Sequence, residues 1–157
     1  MNALDALLTI AISATPVFEL RGGLPFALAR GFGPLWALVL SLVGNLAVIP
    51  ALLWGLQGME RMLMQFAWSR RILRWVFARS RRKGRWVQRL GMVGLLLLVA
   101  VPLPGTGAWT GSIASRLLGL PNRRVLPWIA VGVLIAGGLV LAASLGLMHA
   151  FGVNASV

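Results

Sequence analysis

Cysteine is absent from this chain of 157 residues, which excludes disulfides and thiol chemistry and carries no inference about redox compartment. Acid is nearly as scarce: Asp5, Glu19 and Glu60 are the only carboxylate side chains, against fifteen lysines and arginines. The one histidine, His149, makes no metal site by itself. No paired carboxylates, no nucleophile with a histidine partner and no phosphate-binding GxxxxGK[ST] run is present, so the sequence reads as a non-enzyme without metal or cofactor. Charge of any sign is short as well, at 11% of residues where soluble domains carry about a quarter. Water is therefore not the main solvent of this chain.

What replaces charge is length of apolar sequence. Hydrophobic residues make up 59% of the chain, and residues 31–59, 90–115 and 125–157 are uncharged runs, each beyond the roughly 20 residues that cross a bilayer core. Residues 35–56 read as a first spanning helix, with Trp36 and Trp54 near its ends, where indoles favour the membrane interface. Residues 125–150 read as a second, with Trp128 near its start and Gly132, Ala136, Ala143 and Gly146 suited to close helix contact. Asn45 and Pro50 make the first span irregular and are expected to face protein. The N-terminal stretch has no basic residue before its apolar part and leads into Glu19, so it is read as mature fold and not as a signal peptide.

The remaining hydrophobic segments are interrupted. Residues 1–34 run apolar only as far as Glu19, followed by Arg21, Gly22, Gly23 and Pro25; residues 90–120 are broken by Pro102, Pro104, Gly105 and Gly107 and flanked on both sides by arginine. Two re-entrant hairpins fit this pattern. Ten of the fifteen basic residues lie within residues 57–89, which reads as a basic amphipathic cytoplasmic linker at the anionic lipid surface. A tethered basic loop is explained by topology, and nucleic acid is not an expected partner. The expected fold is thus an all-α integral membrane protein of one domain, an inverted repeat of re-entrant hairpin plus transmembrane helix. It is multi-pass in a bacterial-type inner membrane, with both termini outside. Pro16 and Arg30 are spaced as Pro102 and Arg116 are, and Gly33 and Gly119 follow those arginines at equal distance, a weak echo of the repeat. Inverted repeats with broken helices commonly hold a transport site at their interface near the midplane.

Within that interface Glu19 is the candidate proton- or ion-coupling residue, because a charge at membrane depth needs a partner or a water-lined cavity. Arg21 is the expected partner, and desolvation and the guanidinium would act on the Glu19 proton in opposite senses. The alternative is an ion pair that only holds the hairpin tip. Pro102, Pro104, Gly105, Thr106 and Gly107 would unwind the backbone and expose amides at the start of a short helix. With Thr106 and Thr110 as hydroxyl donors and Arg21 opposite, this makes a candidate cradle for phosphate or carboxylate. Trp109 either lines the cavity or packs. Arg30 and Arg116 close the two hairpins at matching places, to contact anionic head groups or to snorkel. His149 reads as interfacial.

With ELRGGLP at residues 19–25 and PLPGTGAWTG at residues 102–111, the sequence resembles the small multidrug export protein family over nearly its whole length. That family is similar to the wider DedA (SNARE-associated) superfamily, whose two re-entrant hairpins face one another and whose members move phospholipids or polyprenyl phosphates. The resemblance implies a lipid or lipid-phosphate substrate with ion coupling. It points to Glu19, Arg21 and the PLPGTG turn, and sets Arg116 in the place of a functional arginine after the second hairpin. The second hairpin here has no acidic residue comparable to Glu19. The expected function is a small transporter or flippase for an anionic lipid or other amphiphile, working with membrane lipids and protons or another ion as a homo-oligomer. The alternatives are a proton-coupled multidrug exporter and a non-transporting scaffold.

Overall fold

Every element among the described residues is helical. The computed structural model describes residues 2–63, 65, 85–103 and 105–151. Six helices follow one another: α1 (Ala3–Ala14), α2 (Glu19–Ala29), α3 (Pro34–Leu63), α4 (Arg85–Ala100), α5 (Ala108–Leu117) and α6 (Asn122–Ala150). The order is two short helices and a long one, twice over. The basic stretch read as an amphipathic linker falls mostly on residues 64 and 66–84, outside the described residues, as does Pro104.

The long helices are α3 and α6. Their apolar parts, Pro34–Glu60 with 27 residues and Asn122–Ala150 with 29, can each cross a hydrocarbon core of about 30 Å at 1.5 Å per residue. Pro50 and Pro127 lie inside these helices without ending them. Each removes one backbone donor, a loss tolerated in apolar helices that neighbours support. The first long helix also runs past the expected end at residue 56 to Leu63, taking in Gln57, Glu60 and Arg61. Asn45 is buried, as its polarity required; of the small residues expected at helix contacts, Gly132 and Ala136 are buried but Ala143 and Gly146 are exposed.

Around a buried apolar core that includes Leu20, Leu24, Leu53, Leu95 and Ile129, polar side chains are held inside and many large apolar ones lie outside. Asp5, Thr9, Ser13, Glu19, Ser41 and Asn45 are buried, whereas Leu4, Leu7, Leu35, Leu134, Leu139 and Leu147 are exposed. Such an apolar exterior on helices long enough to cross is stable against hydrocarbon and not against water. Trp36 and Trp54 are half exposed near opposite ends of α3, as interfacial indoles should be.

One expectation about the short helices is corrected. Glu19 and Arg21, expected at a hairpin tip, stand in the first turn of α2, and the chain turns earlier, at residues 15–18. Pro16 stops α1, whose last turn is closed by the Thr15 amide and hydroxyl donating to the Ile12 carbonyl. Gly22 and Gly23 are helical residues, and a Cβ on Gly23 would fall 1.8 Å from Ser13 Oγ. Gly44 on α3 likewise allows backbone approach, since its Cβ would lie 2.2 Å from the Ile10 carbonyl oxygen. These two glycines let α1, α2 and α3 pack closely enough to support the start of α2.

Candidate functional site

The site is built where the first turn of α2 meets the segment joining α4 to α5. Glu19 is 7% exposed and adopts a positive φ of 49°, a conformation costly for a residue with a side chain. That backbone directs the carboxylate at the start of α5, where Oε1 accepts a hydrogen bond of 3.1 Å from the Trp109 amide. The first amides of a helix have no intrahelical acceptor and carry the positive end of its dipole, so a carboxylate belongs there. Gly107, just before the helix, has a φ of 150°, and a Cβ on it would meet Glu19 Oε2 at 1.8 Å. Only glycine leaves room for the carboxylate.

Arg21 is one turn-fraction further along α2 and reaches the same segment from another side. Its guanidinium donates to the carbonyls of Leu103 and Thr106 and, at 3.0 Å, to Thr106 Oγ1. Thr106 Oγ1 lies 2.8 Å from the carbonyl oxygens of Val101 and Leu103 and accepts from the Leu103 amide at 3.2 Å, tying the turn to itself. The turn therefore offers Arg21 its carbonyls, and its amide donor goes to Glu19. This corrects two expectations. Glu19 and Arg21 form no salt bridge with each other, because residues two apart on a helix point to different sides. The anion in the helix-terminal cradle is the protein's own carboxylate.

The other predicted residues around the turn take local roles. The Trp109 indole donates to the Ala14 carbonyl at 3.1 Å, capping the end of α1. Thr110 Oγ1 donates to Gly107 O at 3.2 Å. Pro102 and Gly105 lie on the exposed rim, Gly105 with a φ of 80°. Pro104 lies outside the described residues.

Arg30 and Arg116 do sit at the ends of α2 and α5, but neither is a free cation waiting for a head group. Arg30 pairs with Asp5 of α1 at 2.7 Å, its side chain 52% exposed. Arg116 pairs with Glu60 of α3 and donates to Asn122 Oδ1 at 3.3 Å, both partners of the ion pair being mostly buried. Asn122 completes this knot by donating to the Leu53 carbonyl and to Gln57 Oε1, each at 2.9 Å. All three acidic side chains thus have a partner on another helix. Asp5, Glu60 and Asn122 were missed in the sequence reading. Their signal was scarcity: with so few acids, each one had to answer a particular donor.

Asn45 of α3 was read as inward-facing and not as part of a site. It lines a cavity of about 10 Å3 together with Glu19, Arg21, Gly107, Ala108 and Val133. A larger groove of about 380 Å3 runs between α2 and α6, lined by Pro25, Leu28, Ala29, Ser144, Leu147 and Met148, almost wholly apolar.

No curated protein and no solved structure matches the chain. A family match does exist, and it begins at Glu19 and takes in the whole site. Two apolar helices of spanning length, a buried ionisable centre and an apolar exterior make this a membrane protein, and its match over residues 19–139 places it in the family described as "Putative small multi-drug export protein".

Proposed function

We propose that the chain is a small membrane transporter in which a proton taken up by Glu19 opens the start of α5 to an anionic head group. The observation that carries this reading is the Glu19 carboxylate held on the Trp109 amide, with Arg21 gripping the same segment. A helix N-terminus beside an arginine suits a phosphate or carboxylate, and here an internal carboxylate holds that place. Protonating Glu19 removes its charge, frees the amide and lets an external anion compete. Proton and anion then bind together, which is a coupling scheme that needs no second carboxylate.

In this reading α1–α2 and α4–α5 are re-entrant hairpins entering from opposite faces, with α3 and α6 as the full spans and the basic stretch cytoplasmic. The resemblance to DedA proteins favours an anionic lipid or other amphiphile as substrate. Two spans enclose little volume, so the working unit is a homo-oligomer. A second reading is supported by the family description: export of cationic drugs, in which the drug competes with the proton for Glu19 itself.

Liposomes containing the purified chain separate the readings. Anionic lipid analogues and cationic dyes are followed with and without a pH gradient, in wild type and in Glu19→Gln. The proposal expects movement of the anionic probe, accelerated by the gradient, and loss of that acceleration in Glu19→Gln. Gradient-driven movement of the dye alone selects drug export. Movement of neither, with folding intact, leaves Glu19 and Arg21 as scaffold.

A further inference from the structure

Asn45 is 3% exposed, and its side-chain carbonyl oxygen has no hydrogen-bond partner among the described residues. A buried acceptor of that kind is costly if nothing answers it, and native structures seldom leave it so. The oxygen belongs to a side chain lining the same small cavity as Glu19. That cavity, of about 10 Å3, is close to the least space that admits one water. Ser41, one turn earlier on the same face of α3, is also fully buried with its hydroxyl unanswered, so this part of the interior holds more polar atoms than protein partners.

The charges around the cavity select what fits. Glu19 is the one anion lining it, and Arg21 is the one cation. The first turn of α5 adds its dipole's positive end through Gly107 and Ala108. A metal cation would face a guanidinium and a helix N-terminus with few oxygens to hold it. A water has two protons to donate, and two residues that line its space, Glu19 and Asn45, carry acceptors, the one on Asn45 unanswered.

We propose that one buried water bridges Glu19 and Asn45 and is the group through which Glu19 exchanges its proton, with Asn45 as the positioning residue. This rests on the reading of Glu19 as a proton carrier. A proton reaching the water's oxygen is matched by one passing from the water to the carboxylate, so the water is restored and only Glu19 changes. The arrangement lets Glu19 be protonated while its Oε1 still lies against the Trp109 amide, so protonation precedes release.

The test uses infrared difference spectroscopy on the full chain in lipid. With only three acidic residues in the sequence, the carboxyl band of Glu19 is identified by its disappearance in Glu19→Gln. Two quantities are then read: the rate at which that carboxyl exchanges on transfer to heavy water, and a water band that shifts in oxygen-18 water. Asn45→Val, which fills the cavity with apolar surface, is expected to slow exchange about tenfold, the worth of roughly one hydrogen bond, and to abolish the band. Asn45→Ser, which keeps a hydroxyl and room for water, is expected to stay near wild type and guards against a valine variant that does not fold. Unchanged exchange with the water band intact in Asn45→Val overturns the proposal. A sodium-dependent shift of the Glu19 band without any water band replaces it with a cation site. A Glu19 carboxyl that never titrates, with the water band present and sensitive to Asn45, sinks the proton-carrier reading while leaving the water's position standing.

Discussion

Gly107 stands where the carboxylate of Glu19 leaves no space for a methyl group, and it does so with a positive φ that a side chain would resist. Gly107→Ala is therefore expected to destabilise by about 1–3 kcal/mol, a typical cost of overpacking. Much of that cost comes from one neighbour, so it should fall when the neighbour is shortened. Glu19→Ala combined with Gly107→Ala should cost less than the two single changes added together, measured as thermal stability in lipid nanodiscs; strict additivity would mean that the two do not touch. The same residues explain what could be read beforehand and what could not. Glu19 and Arg21 stood out because charge in an apolar run is expensive wherever it lands. Their partners stayed hidden, since each reaches across more than eighty positions of sequence to the segment around residues 103–109. Pairing them with each other was the nearest answer in sequence and a poor one in space, because α2 is helical there.

At the level of helices, the two arginines at matching places are fastened differently. Arg116 and Glu60 are largely shielded and join α5 to α3, while the Arg30 side chain is half open and joins α2 to its own hairpin partner α1. Removing either arginine strands its acid, and Asp5, with its side chain 9% exposed, is the more buried of the two acids. Arg30→Ala and Arg116→Ala should thus each lower the thermal midpoint, and a midpoint unchanged by Arg30→Ala would contradict the burial of Asp5. Helix existence was legible along most of the chain, because runs of apolar residues at spanning length admit few other readings. The turn of the first hairpin was not. Glycine serves both as a breaker and as the residue that lets two helices touch, and Gly22 and Gly23 look alike in either use. The contact with Ser13 decides for the second.

For the molecule as a whole, the apolar exterior defines which solvent it needs, and the proposed topology defines which way it faces. Leu35, 70% exposed at the start of α3, is placed outside by that topology, and Arg123, at the start of α6, inside. The natural absence of cysteine makes the check direct. Leu35→Cys should react with an impermeant maleimide added to intact cells, and Arg123→Cys only after the membrane is opened; the reverse pattern would invert the molecule. The basic stretch that oriented the sequence reading lies outside the described residues, so this assignment rests on charge asymmetry, which such labelling measures independently.

The grip of α2 on the segment that leads into α5 also sets a schedule for how the protein is made. Residues 19–21 leave the ribosome well before residues 103–109 exist, so for that interval a carboxylate and a guanidinium sit in a nascent apolar hairpin without the groups that later hold them. The early half must wait, sheltered by water, lipid head groups or the insertion machinery, until the late half arrives to complete it. Completion of the site then waits on residues 103–109, and a chain truncated just short of residue 109 should be an N-terminal fragment that membrane proteases recognise as unfinished.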